Sequence, residues 1–80
     1  MKVRLTDHAK AQLLWRNIDV TKALTTVKSP EWTGKGKGGK LLARKTFEGR
    51  LLEVVYNIRG NSAVIITAIY KDQSDDKNKL

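Results

Sequence analysis

The sequence predicts an α+β fold, with two amino-terminal helices packed on a carboxy-terminal antiparallel sheet of three to four strands. Three observations point there. The first thirty or so positions repeat apolar residues at helical spacing, twice, and each run follows a capping residue. From Lys40 onward the pattern changes to strand-like runs rich in Val, Ile and Tyr. Two short turn signals, Glu48-Gly49 and Gly60-Asn61, divide those runs.

Lys2 to Leu5 alternates polar and apolar residues and reads as a short strand or a lead-in. Thr6 or Asp7 then caps a helix over about 7–17, because either side chain accepts a hydrogen bond from a free backbone N–H. Ala11, Leu14, Trp15 and Ile18 recur at i, i+3, i+4, i+7 and define its expected apolar face. Asn17, which tolerates a left-handed backbone, should end it. Asp19 caps a second helix over about 19–28, with Val20, Ala23, Leu24 and Val27 inward. Ser29-Pro30 stops this helix, since a residue before proline avoids the helical region.

A basic loop over 31–39 leads to strands over about 40–47, 51–58 and 63–70. With two-residue turns, Phe47 pairs with Arg50 and Arg59 with Ser62. Arg44 then falls opposite Glu53, and Glu53 opposite Ala68. Ala43, Phe47, Leu52, Val54, Tyr56, Ile65, Thr67 and Ile69 share the face expected to receive the helices. Lys45 falls on that face too, unless a bulge near Gly49 exchanges the faces. Residues 1–71 thus read as a single domain, and 72–80 as a polar tail without periodicity, expected to be disordered.

The net charge of +8 comes from sixteen Lys and Arg against eight Asp and Glu, and favours a polyanionic or acidic partner. With no cysteine and one histidine, thiolate zinc sites, multi-histidine sites within the chain and disulfides are excluded, and no metal or cofactor is expected. The amino terminus has no long apolar run. Neither a signal peptide nor a membrane span is expected, and a cytoplasmic location is the default.

Gly34, Gly39 and Lys40 stand at the G-x-x-x-x-G-K spacing of a P-loop. That motif needs a strand before it, a helix after it and a Ser or Thr for magnesium. Here Leu41 takes the hydroxyl position and a strand follows, so the P-loop reading is rejected. Residues 28–50 nevertheless carry seven basic side chains against two acidic ones, a net of +5. A loop of Lys and Gly can track phosphates without reading sequence, which makes Lys35, Lys37 and Lys40 candidate backbone contacts; Arg16 is a further candidate. Trp32 can stack on a base or plug the second helix. His8, in the first helical turn, is either a general base or a half-buried residue packed beside Gln12 and Trp15. Arg44 and Arg50 can clamp a phosphate, or Arg44 can simply pair with Glu53.

The stretch TDHAKAQLLWRNI resembles the pattern T-x-H-A-x-x-R-M-x-x-R-G-I of a small bacterial and phage family of unknown function. EGRLLEVVYNIRGNSAVIITAIYK resembles that family's hairpin, with its G-R-x-x-x-V-V-Y run and T-A-x-Y ending, and also the hairpin of BrnT-type toxins. The family is grouped with the RelE/ParE superfamily and, more loosely, with barnase-like and colicin-like ribonucleases. His8, Ala9, Arg16, Gly49, Arg50, Val54, Val55, Tyr56 and Thr67 match its motifs, while Gln12 replaces an expected arginine and Asn17 a glycine. The resemblance implies a RelE-like fold and a metal-independent endoribonuclease or toxin acting on RNA, on or off the ribosome, and held by an antitoxin. His8 would serve as base or acid, Arg44 and Arg50 as the phosphate clamp, with Lys45 and Tyr56 assisting. A non-catalytic nucleic-acid-binding module and a protein-interaction domain remain the alternatives.

Overall fold

The structure is a computed structural model that describes residues 2–71; the polar tail expected over 72–80 lies outside them. Its elements are β1 (Lys2–Leu5), α1 (Asp7–Trp15), α2 (Val20–Lys28), β2 (Trp32–Lys35), a 3-10 turn (Lys37–Gly39), β3 (Leu41–Phe47), β4 (Arg50–Arg59) and β5 (Ser62–Tyr70). The α+β class and the two amino-terminal helices are as the sequence predicts. The sheet has five strands rather than three to four, in the order β1-β5-β4-β3-β2. It is mixed, since β1 runs parallel to β5 while every other pair is antiparallel.

The caps form as their chemistry requires. Thr6 Oγ1 accepts from the Ala9 N–H at 3.0 Å, and Asp19 Oδ1 from the Thr21 N–H at 2.8 Å. Asn17 sits at φ 59°, so it does end the first helix, though α1 itself stops at Trp15. The buried residues of α1 are Ala9 and Leu13, not the expected Ala11, Leu14 and Trp15. Leu14 and Trp15 are 83% and 89% exposed.

Half of the expected basic loop is strand. β2 occupies 32–35 and pairs Trp32 with Arg44 and Lys35 with Leu41. The β3–β4 register is unbroken from Phe47↔Arg50 to Leu41↔Tyr56 and contains the expected Arg44↔Glu53 pair, so no bulge occurs near Gly49. The irregularity lies in the next ladder, between the pairs Val55↔Thr67 and Tyr56↔Ile65, where Ile66 is the extra residue. Glu53 therefore opposes Ile69, not Ala68. Ala68 and Tyr70 turn toward the helices in place of Thr67 and Ile69.

One core results, with Ala9, Leu13, Ile18 and Ala23 from the helical half against Leu52, Val54, Ile65, Ala68 and Tyr70 from the sheet. Lys45 lies on this covered face, and its ammonium donates to the Ser29 carbonyl at 2.9 Å, at the carboxy-terminal end of α2. A cation is favoured there by the helix dipole and by the unsatisfied last carbonyls.

Candidate functional site

Both helices pack on one face of the sheet, so among the described residues the other is open. Strand alternation and register assign its residues. Lys2 and Arg4 of β1, Leu51, Glu53, Val55, Asn57 and Arg59 of β4, Leu42 and Arg44 of β3, and Trp32 of β2 all point to it. Glu53 is the only acidic residue in any of the five strands.

At its centre Arg44 Nε donates to Glu53 Oε2 at 2.7 Å, while the Lys71 ammonium stands 3.8 Å from Oε1. The Glu53 residue is only 8% exposed although no helix among the described residues covers its face, and both cations stand against its carboxylate. Trp32 stacks on the other side of Arg44, with the guanidinium 4.3 Å from the ring centroid. The ring also lies over Gly34, where any Cβ would collide with it. Trp32 is 45% exposed, belongs to the open face and is not a plug over α2.

A second polar group borders this face. β1 pairs only with Ser62–Ile65, leaving the rest of that edge of β5 to α1. Arg16 donates to Thr67 Oγ1 and to the Ala68 carbonyl, both at 2.9 Å, and the Thr67 hydroxyl donates to Gln12 Oε1 at 2.5 Å. His8 lies one helical turn before Gln12 and is exposed, not half-buried.

The candidate catalytic residues divide between the two faces. Arg44 is on the open one, and His8 is on neither, being exposed in the first turn of α1. Lys45 and Tyr56 are on the covered face, the first held by the Ser29 carbonyl and the second packed against the core. Arg50 is on that face too, stacked 3.8 Å from the centroid of Tyr70. Of the candidate nucleic-acid contacts, Trp32 is on the open face and Arg16 is tied to β5. Lys35 and Lys37 are exposed and Lys40 half-buried, all at the β2–β3 turn. That turn leads from strand to strand, as expected for a segment that is not a P-loop.

Thr67 can be read in the sequence as a polar group on a catalytic sheet or as an ordinary strand residue, whereas Glu53, Gln12 and Lys71 are not singled out there as site residues. Glu53 had a legible signal, a lone carboxylate inside an apolar strand opposite an arginine. The Gln12–Thr67 bond had none, because it joins positions 55 apart. Among the described residues no cluster of His, Cys, Asp and Glu could hold a metal ion, and no helix is long and apolar enough to cross a membrane.

No curated protein and no solved structure gives a significant match to the chain. One family model does match, over residues 5–70, which takes in the whole of α1 through β5 and both polar groups just described except Lys71. The chain therefore belongs to the DUF4258 family, a domain of unknown function.

Proposed function

We propose that this domain binds single-stranded RNA across the open face of its sheet. The observation that carries the reading is the composition of that face. An exposed tryptophan ring is held on Arg44, and Lys2, Arg4, Arg59 and Lys71 stand with it against a single strand carboxylate. Stacking platforms and cations are what a sequence-tolerant single-strand surface needs, because every base has a flat face and every linkage a negative charge. Four strand spacings make the face about 19 Å wide. The measurement is fluorescence titration with a short oligoribonucleotide. Trp32→Ala should weaken binding about 5- to 150-fold, the worth of one stacked base. Equal affinity of wild type and Trp32→Ala would sink the reading.

A catalytic form of this reading is favoured by Glu53. Metal-independent cleavage of RNA requires a base for the 2′-OH, cations facing the charge that builds on phosphorus, and an acid for the leaving oxygen. Lys71 turns from Glu53 Oε1 to the phosphate, the freed oxygen takes the 2′ proton, and the 2′ oxygen forms a bond to phosphorus. Arg44 and Lys71 stabilise the added charge. The bond to the 5′ oxygen breaks, and that oxygen takes a proton from His8 as the acid. The products are a 2′,3′-cyclic phosphate and a 5′-hydroxyl. Lys45 and Tyr56 then serve the fold. The reading agrees with the likeness to RelE/ParE and BrnT-type toxins, and with it come a cytoplasmic setting and an antitoxin partner. Glu53→Gln should lower the cleavage rate by about 10²- to 10⁴-fold while RNA binding persists. Undiminished cleavage by that variant removes Glu53 from the chemistry, and no cleavage by wild type leaves a binding module.

A further inference from the structure

The open face ends, on the side away from Trp32, in a depression of about 350 Å³ lined by Arg4, Thr6, Asn57, Arg59, Val64 and Ile66. The register explains its shape. Arg4, Val64 and Asn57 form one row across β1, β5 and β4, and Lys2, Ser62 and Arg59 form the next. The floor is therefore short side chains of β5, and the walls are long ones from the flanking strands. Two strand spacings, about 10 Å, separate those walls, which two arginines can bridge from either side.

The two arginines of the depression differ from the other three of the chain. Arg44 is bound to Glu53, Arg16 to Thr67 and Ala68, and Arg50 lies on Tyr70. Among the described residues, the side chains of Arg4 and Arg59 have neither a hydrogen bond nor an ion pair. Two like charges lining one hollow repel each other, and an anion between them removes that cost. Neutral donors are present as well. The Asn57 amide carries two N–H groups, and the Thr6 oxygen accepts from Ala9 N–H, which leaves its hydroxyl proton to give.

We propose that this depression receives a phosphate monoester, the phosphorylated end of an RNA strand lying on the sheet; the RNA part rests on the reading above. A bridging phosphodiester brings one negative charge, whereas a monoester brings nearly two near neutral pH. Two unpaired guanidiniums match the second. The place also fits an end rather than a middle, because the strip of sheet stops here at edge strand β1 and the Gly60–Asn61 turn.

The test compares one short oligoribonucleotide with a 5′-phosphate, with a 3′-phosphate and with neither, on wild type, Arg4→Gln, Arg59→Gln and Trp32→Ala. One phosphorylated form should bind wild type about tenfold or more tighter than the unphosphorylated form. Arg4→Gln and Arg59→Gln should each remove most of that advantage, weakening the phosphorylated form more than the unphosphorylated one, which loses a single cation. Trp32→Ala should weaken all three and keep the advantage. If all three bind wild type equally, the end-phosphate site is overturned and the RNA reading survives. Adenosine monophosphate, followed by amide NMR shifts at Asn57 and Val64, separates the opposite case. Shifts that vanish in Arg4→Gln, with no oligoribonucleotide bound, keep the phosphate site and overturn the RNA reading. No response to any probe overturns both.

Discussion

Trp32 owes its position to Gly34. Two residues apart on one strand, they share a face, and the ring lies where a Cβ of residue 34 would be. Gly34→Ala should push the ring off Arg44, seen as a shifted tryptophan emission maximum and weaker RNA binding, with the fold retained. This glycine, which belongs to a P-loop spacing in the sequence, thus has a steric task instead. α1 offers a second lesson. Its apolar residues 9, 11, 13, 14 and 15 wrap most of the way round the helix, so two stripes compete. The larger side chains suggest Ala11, Leu14 and Trp15; the chain's entry from β1 and its exit through the left-handed Asn17 rotate Ala9 and Leu13 inward instead. Leu13→Ala should cost about 2–5 kcal/mol in chemical denaturation, as expected for a fully buried leucine. Trp15→Ser should stay within about 0.5 kcal/mol of wild type in the same measurement.

At the scale of elements, local chemistry made the helices and the two hairpin turns legible, and its absence hid β2. WTGK is four residues long, mostly exposed and flanked by Gly and Lys, so it carries no apolar alternation. A short, charged strand is a common way to finish a sheet edge without inviting another chain to pair. The face assignments held along β3 and β4, where register runs unbroken from the turn. They failed past Ile66, because one extra residue exchanges the faces of everything beyond it. That exchange brings Ala68 and Tyr70 into the core and leaves Thr67 to Gln12 and Arg16, so the second polar group could not be read from the pattern. The β3–β4 turn has φ 53° at Glu48 and 80° at Gly49, the sign pattern of a type I′ turn. Glutamate is poorly suited to that position, and its contact to Lys22 is long, at 3.6 Å, and exposed. Glu48→Asn should raise stability by about 0.5–1 kcal/mol, measured as a higher denaturant midpoint; no gain would mean that the Lys22 contact matters more than the turn.

For the whole molecule the governing quantity is charge. A net charge of +8 attracts any polyanion, so affinity at one salt concentration says little about a dedicated surface. The salt dependence is more informative. If Lys2, Arg4, Arg59 and Lys71 each meet a phosphate, a plot of log affinity against log salt should have a slope of about −3. Replacing Arg59 by Gln should flatten it by about 0.7, whereas replacing exposed Lys10 on α1 should leave it unchanged. Equal flattening by both variants would mean diffuse attraction rather than binding on the sheet.

The parallel seam between β1 and β5 has a consequence in time. Lys2 finds its partner sixty positions later, at Ser62. A ribosome that has released everything through Arg59 has delivered both helices and four strands. The nascent chain still lacks Ile65, Ala68 and Tyr70, against which α1 must settle, and the strand to which β1 must zip. Until then its apolar surfaces have nowhere to go, and the cell must shield them for the seconds that synthesis takes. Final assembly is thus set by the last strand to emerge, and a stall just before Ser62 should leave a chaperone-bound, protease-sensitive chain.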